Sequence, residues 1–271
     1  MSSTKAISVD KLARLVGTPK CPTLIDLRTE ADFEEDQRLI PSARRRNADC
    51  LKDWIGSVNG PSIVYCQQGH KLSEGIGALL RANGLPAEIL EGGFEAWRDA
   101  HQPLIPVDKL ATTKSDGRTI WVTRARPKID RIACPWLIRR FVDPNAIFLF
   151  VTPSEVLAVA ERFGGAPFDI EGVFWSHRGD LCTFDVMVEE FGLSIKPLLH
   201  LATIVRGADT SRPDIAPEAP GLLAASLGLS RMFADDLDQL DAGMLLYDAF
   251  YRWCRDATGE THNWPHTRPG V

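Results

Sequence analysis

The sequence predicts an α/β first half, joined to a second half that begins α/β and finishes α-helical. Three observations carry this. Short apolar runs alternate with segments of helical period through the first half and again up to about residue 163. A Pro-bearing polar stretch interrupts the pattern near residue 110. Beyond about residue 180 only helical periodicity continues. A chain of 271 residues is long enough for two cores.

In the first half, Val9–Val16 reads as a helix with Asp10 near its start. Thr23–Leu27 reads as a strand ending in Asp26-Leu27-Arg28, and Ile63–Tyr65 as a buried strand stopping at Cys66. Leu72, Ile76, Leu79 and Leu80 mark a helix over 72–83, with Gly84 as its C-terminal cap. Glu88–Leu90 is a strand and Phe94–Ala100 a short helix. Apolar strands alternating with helices in this way indicate a mostly parallel sheet. In the second half, Thr119–Thr123 and Ala146–Val151 are strands around an amphipathic helix over Ile129–Phe141. A helix over Ser154–Phe163 follows, with Thr152 or Ser154 as cap. Further helices cover Thr183–Phe191, Lys196–Val205, Gly221–Leu227 and Asp236–Arg255.

The break from His101 to Gly117, with Pro103 and Pro106, sets residues 1–107 as a first domain, 108–117 as linker and 118–271 as a second domain. Residues 1–107 hold 13 basic and 14 acidic residues, so neither half is a charged tail. The net charge of −5 argues against general nucleic-acid binding. Neither an apolar leader at the N-terminus nor a run of membrane-spanning length is found, which predicts a cytoplasmic protein without membrane contact. The six cysteines include no C-x-x-C pair. That spacing excludes a zinc ribbon or a thioredoxin-type dithiol. Isolated thiols suit a reducing compartment.

One cysteine stands apart. In Ile63-Val64-Tyr65-Cys66-Gln67-Gln68-Gly69-His70-Lys71-Leu72-Ser73 a thiol lies where a buried strand ends and a helix begins. A loop there turns successive N–H groups inward over a helix N-terminus, an arrangement that favours a thiolate nucleophile. Gly69 frees the turn and Lys71 adds a cation at the rim. The competing reading is a buried structural cysteine at a strand end. The other five cysteines are expected to pack.

Leu24-Ile25-Asp26-Leu27-Arg28, Cys66-Gln67-Gln68-Gly69-His70-Lys71 and Leu90-Glu91-Gly92-Gly93-Phe94-Glu95-Ala96-Trp97, in this order, resemble a single-domain rhodanese over about residues 5–106. The resemblance implies a sandwich around a five-stranded parallel sheet and a cysteine that carries sulfane sulfur as a persulfide. Asp26 and Arg28 would then order the loop, the amides of Gln67, Gln68, Gly69, His70 and Lys71 would hold anionic groups, and thiosulfate or a related donor would deliver sulfur to a thiol acceptor. The family's His-Ile-Pro-Gly-Ala appears here as Leu39-Ile40-Pro41-Ser42-Ala43, followed by Arg44-Arg45-Arg46. Lys71 stands where Arg is frequent, a point charge replacing a bidentate fork. Cysteine phosphatases and arsenate reductases of related topology need an Arg where this chain has Leu72.

The second half carries two further patterns. Between Arg118 and Arg140 seven basic residues face one acid, Asp130. Arg124, Arg126, Lys128 and Arg131 are candidates for an oxyanion site at a helix start, or for a solvated basic face. His177, Asp185 and Asp209 could converge between two helices, a donor set suited to a divalent metal such as manganese, iron or zinc. Asp130-Arg131-Ile132-Ala133-Cys134-Pro135-Trp136-Leu137-Ile138-Arg139-Arg140-Phe141, His177 to Asp185, and Ile204-Val205-Arg206-Gly207-Ala208-Asp209 resemble the C-terminal domain of the chromate-resistance protein ChrB, over about residues 119–265. The resemblance implies a role toward chromate. Three functions are in view: sulfurtransferase coupled to chromate resistance, a chromate- or metal-responsive sensor with a regulatory rhodanese fold, and chromate reduction by thiols.

Overall fold

A computed structural model describes residues 5–114 and 117–260. The chain runs β1 (Ala6–Ile7), α1 (Val9–Leu15), β2 (Thr23–Asp26), α2 (Glu30–Glu35), β3 (Arg38–Leu39), β4 (Arg44–Arg45), α3 (Leu51–Trp54), β5 (Ser62–Tyr65), α4 (Lys71–Ala82), β6 (Ala87–Leu90), α5 (Gly93–Asp99) and β7 (Ile105–Pro106). It continues β8 (Ile120–Arg124), α6 (Ile129–Leu137), β9 (Ile147–Val151), α7 (Val156–Phe163), β10 (Ala166–Pro167), α8 (Thr183–Glu190), α9 (Lys196–Asp209), α10 (Ala219–Met232) and α11 (Asp236–Asp256).

The first half builds a five-stranded sheet in the order β1-β6-β5-β2-β4, parallel throughout. The expected α/β class and five-stranded sheet are therefore present. Alternation along the central strands divides the side chains between two faces. Ile25 and Val64 point into a core with Trp54, Ile76 and Leu80 from α3 and α4. Their neighbours Leu24, Ile63 and Tyr65 join Leu12, Phe94 and Trp97 on the other face.

That second core does not stop at residue 107. It runs without a break into Trp121, Trp136, Phe141, Phe184 and Tyr247 of the second half. Asp143 ties down the seam, accepting from the Thr119 amide and from Arg44 at 2.6 Å. The Phe141 carbonyl accepts from the Ser42 amide, and the Phe141 ring fills the space that a side chain at Gly17 would need.

The second half carries a three-stranded parallel sheet, β10-β8-β9. Trp121 points to the shared core while Ile120 and Val122 pack under α7. The helix expected over 129–141 is α only to Leu137. Pro135 lies inside it and removes a backbone donor, and the chain continues as a π turn over Ile138–Val142. Neither Thr152 nor Ser154 caps α7 through its side chain, because Pro153–Glu155 winds first as a 3-10 turn. Trp136 packs against Phe141, Phe184, Tyr247 and Tyr251, and Asp248 binds both its indole N–H and Arg140. Among the described residues, no helix is long and apolar enough to cross a membrane.

Candidate functional site

Cys66 directly follows β5 and is buried. The turn from Gln67 to His70 leads into α4, whose first residue is Lys71. Among the described residues, the backbone N–H groups of Gln67 to Lys71 meet no protein acceptor. Their carbonyls explain why. The Phe94 amide donates to the Cys66 carbonyl and the Glu95 amide to the Gln67 carbonyl, each at 3.0 Å. The opening residues of α5 therefore pull the loop's carbonyls toward themselves. This contact requires glycine on both sides. A Cβ on Gly69 would lie 2.7 Å from the Gly93 nitrogen, and one on Gly93 would lie 2.3 Å from the Cys66 carbonyl oxygen. Both residues have positive φ, 72° and 61°.

Asp26 and Arg28 stand behind this brace. Arg28 donates to Asp26 at 2.7 Å with both side chains out of solvent. It also donates to the carbonyls of Asp36 and Arg38. Its guanidinium lies 3.7 Å above the Phe94 ring, so the buried pair steadies the residue whose amide holds Cys66. Ser73, whose role the sequence pattern does not reveal, has its hydroxyl 3.4 Å from the Cys66 sulfur and donates to the His70 carbonyl. A hydroxyl two residues into a helix, beside a loop nucleophile, was the available signal. Gln68, His70 and Lys71 are exposed, and Gln67 donates to Glu95. Next to the loop a cavity of about 380 Å³ is lined by Thr29, Glu30, Arg45, Arg46, Asn47 and Leu72, among others. Burial and the neighbouring Arg44 hold the Arg46 pKa below its usual value.

Of the other thiols, Cys134, Cys182 and Cys254 are buried, and burial pushes all three up in pKa. Cys50 is exposed rather than packed, because it ends a short 3-10 turn with no buried residue.

The second cluster forms beyond the carboxyl ends of β8 and β10, a recurrent ligand position in parallel sheets. The His177 Nε2 atom lies 3.4 Å from a carboxylate oxygen of each of Asp130, Asp169 and Asp209. His177 and Asp209 therefore meet as expected, but Asp185 does not join them. It sits at the third position of α8, accepts from the Cys182 amide and pairs with Arg206 at 3.0 Å. Cys182-x-x-Asp185 is a capping box, and that spacing was the sign that its carboxylate was already committed. Asp130 and Asp169 take its place. Asp130 is buried at the start of α6 and accepts from the Thr183 amide. Asp169 accepts from the Thr183 hydroxyl and pairs with Arg124 and Arg131.

The electrostatics follow from this crowding. Burial drives the Asp130 carboxyl up to about 7, with His177 opposing. Burial works the same way on Asp169, yet His177, Thr183, Arg131 and Arg124 outweigh it and hold that carboxyl low. The three carboxylates of Asp130, Asp169 and Asp209 around it raise His177 to about 12.

The basic stripe splits. Arg124 and Arg131 belong to the Asp169 edge of this cluster. Arg126 is taken up elsewhere, donating to the carbonyls of Ser230, Phe233 and Ala234 at the end of α10. There it meets the negative end of the helix dipole. Lys128 is exposed at the N-cap of α6.

Comparison with known proteins matches these two regions separately. The family described as "ChrB, C-terminal domain" matches residues 121–254, and the "Rhodanese-like domain" family matches residues 8–100. Protein ChrB of Cupriavidus metallidurans is 30% identical over 191 residues, taking in 65% of this chain and 57% of that protein. The chain thus spans little more than half its relative's length. Among solved structures, a rhodanese-like domain protein from Staphylococcus aureus is 29% identical, covering 34% of this chain and 90% of its own, with TM-score 0.31. A rhodanese-related protein from Thermoplasma volcanium is 21% identical, covering 37% of this chain and 97% of its own, with TM-score 0.33.

Proposed function

We propose that this chain, which joins a rhodanese-like domain at residues 8–100 to a ChrB C-terminal domain at residues 121–254, is a sulfurtransferase acting in chromate resistance. The observation that carries the reading is the Cys66 loop, whose amides meet no acceptor among the described residues and whose Cys66 and Gln67 carbonyls are held by α5.

The Cys66 thiolate attacks the outer sulfur of thiosulfate or a related sulfane donor. A new S–S bond forms, the donor's own S–S bond breaks, and sulfite leaves with the electron pair. The persulfide then passes its terminal sulfur to an attacking thiolate or cyanide, and Cys66 departs as thiolate. The loop amides hold the negative charge through both steps. Lys71 at the rim, with Arg45 and Arg46 in the adjoining cavity, attracts the anionic donor. Asp26 and Arg28 hold α5 against the loop and do not react.

This chemistry fits the cytoplasm, where low-molecular-weight thiols accept sulfur. Its tie to chromate rests on the ChrB-type second domain. In a thiosulfate-to-cyanide assay, Cys66→Ser is expected to abolish transfer while leaving the fold intact. Full activity in that variant would overturn the mechanism.

A further inference from the structure

The geometry around His177 points to a divalent-metal site held by Asp130, His177 and Asp209, with Asp169 steadying its outer edge. We infer this from atoms independent of the Cys66 reading.

Asp130, His177 and Asp209 each place one ligand atom within 4.8 Å of the other two. Asp130 contributes a carboxylate that is 1% exposed. Its Oδ2 faces His177, while its buried Oδ1 has no hydrogen-bond partner among the described residues. An ionised carboxylate in that position is costly without a cation. An imidazolium proton is a poor substitute here. Nε2 carries one hydrogen, and charged N–H···O bonds close to about 2.7–2.9 Å. The three separations of 3.4 Å are too long and too alike for one good bond. Those to Asp130 and Asp209 match a different object. Nitrogen and oxygen ligands about 2.1 Å from a tetrahedral ion stand about 3.4 Å apart.

The surroundings serve the same end. The Thr183 amide orients Asp130, and the Thr183 hydroxyl, Arg124 and Arg131 fix Asp169. Outer partners of this kind set the direction of ligands around a metal. One imidazole and two carboxylates suit zinc, iron or manganese, and the two His177-to-carboxylate distances agree with a four-coordinate ion such as zinc. Three protein ligands leave a fourth position for water or an added anion. His177 is half-exposed and Asp209 partly exposed, so an ion can enter from solvent.

The test is titration of the chelated full-length chain with Zn²⁺ by calorimetry and with Co²⁺ by visible absorption. One equivalent should bind, and Co²⁺ should give the intense band of a four-coordinate ion. His177→Ala and the isosteric Asp209→Asn should each weaken binding by more than about a hundredfold. Asp185→Asn and the exposed Glu189→Gln should stay within about threefold of wild type. Absent saturable binding, a six-coordinate Co²⁺ spectrum, retained affinity in either ligand variant, or loss of binding in Asp185→Asn would overturn the assignment. Cys66→Ser should bind the metal like wild type, which separates this outcome from failure of the sulfurtransferase reading.

Discussion

Replacing Gly93 with alanine should damage both stability and the chemistry of Cys66. The added Cβ would stand 2.3 Å from the Cys66 carbonyl oxygen, 2.4 Å from the Gly69 nitrogen and 2.8 Å from the Gln67 carbonyl oxygen. All three are backbone atoms, so no side chain can swing aside. The φ of 61° adds the left-handed cost of about 1–2 kcal/mol. Relief requires the loop to move off α5, losing the amide bonds from Phe94 and Glu95 at about 1 kcal/mol each. The expected loss is therefore roughly 3–4 kcal/mol of stability. A shift of about 1 Å at the nucleophile should also slow transfer by on the order of a hundredfold. Gly75→Ala is the matched control. It is exposed in α4, with none of the described residues within 4 Å of a new Cβ, so it should gain about 0.5–1 kcal/mol and leave transfer unchanged. Urea unfolding and the thiosulfate-to-cyanide rate read both effects. Wild-type stability and rate in Gly93→Ala would refute the bracing of the loop by α5.

Because one core runs through both halves, calorimetry should record a single unfolding transition, and two well-separated transitions would contradict the shared core. Phe141→Ala, at the seam and fully buried, should cost about 3–5 kcal/mol across the whole transition rather than releasing one half. Glu190 gives a pH signature. Hydrogen bonds from Lys109 and Arg178 hold its pKa below the usual 4.5, so its contribution is present above that value and fades as pH falls through the lowered one. Stability of Glu190→Gln should then fall less steeply than wild type on acidification below 4.5, and parallel curves would dismiss the contact. Arg126→Ala should loosen the end of α10 by about 1 kcal/mol without changing Zn²⁺ affinity, whereas a large fall in affinity would contradict its separation from the His177 cluster.

The parts of the molecule written in local pattern were legible from the residues. The apolar runs at Thr23–Asp26, Ser62–Tyr65 and Ala87–Leu90 are the sheet's central strands, and each is too apolar to face water. The Cys66 loop was visible because a strand end, a glycine and a helix start follow one another within six residues. What escaped depends on long-range contact. Gly93 reads as a helix-start glycine until its backbone is set against that of Gly69. Asp130 looked like the lone acid in a basic stripe, and its partner His177 lies 47 residues further on, across a turn built around the positive φ of Asp169. Asp185 reads as a metal ligand because helical spacing shows which face a residue occupies but not whether its charge is already spent on a cap. The expected domain break at 107 follows composition. The shared core follows side-chain shape, such as Phe141 lying over Gly17, which composition does not encode.

The most direct measurement is the mass of the Cys66 peptide after the intact protein has been incubated with thiosulfate. The account predicts a gain of one sulfur atom on Cys66 alone, removed by cyanide and absent from Cys66→Ser. No added sulfur on Cys66, or the same gain on the Cys50 peptide with Cys66 unmodified, would contradict it.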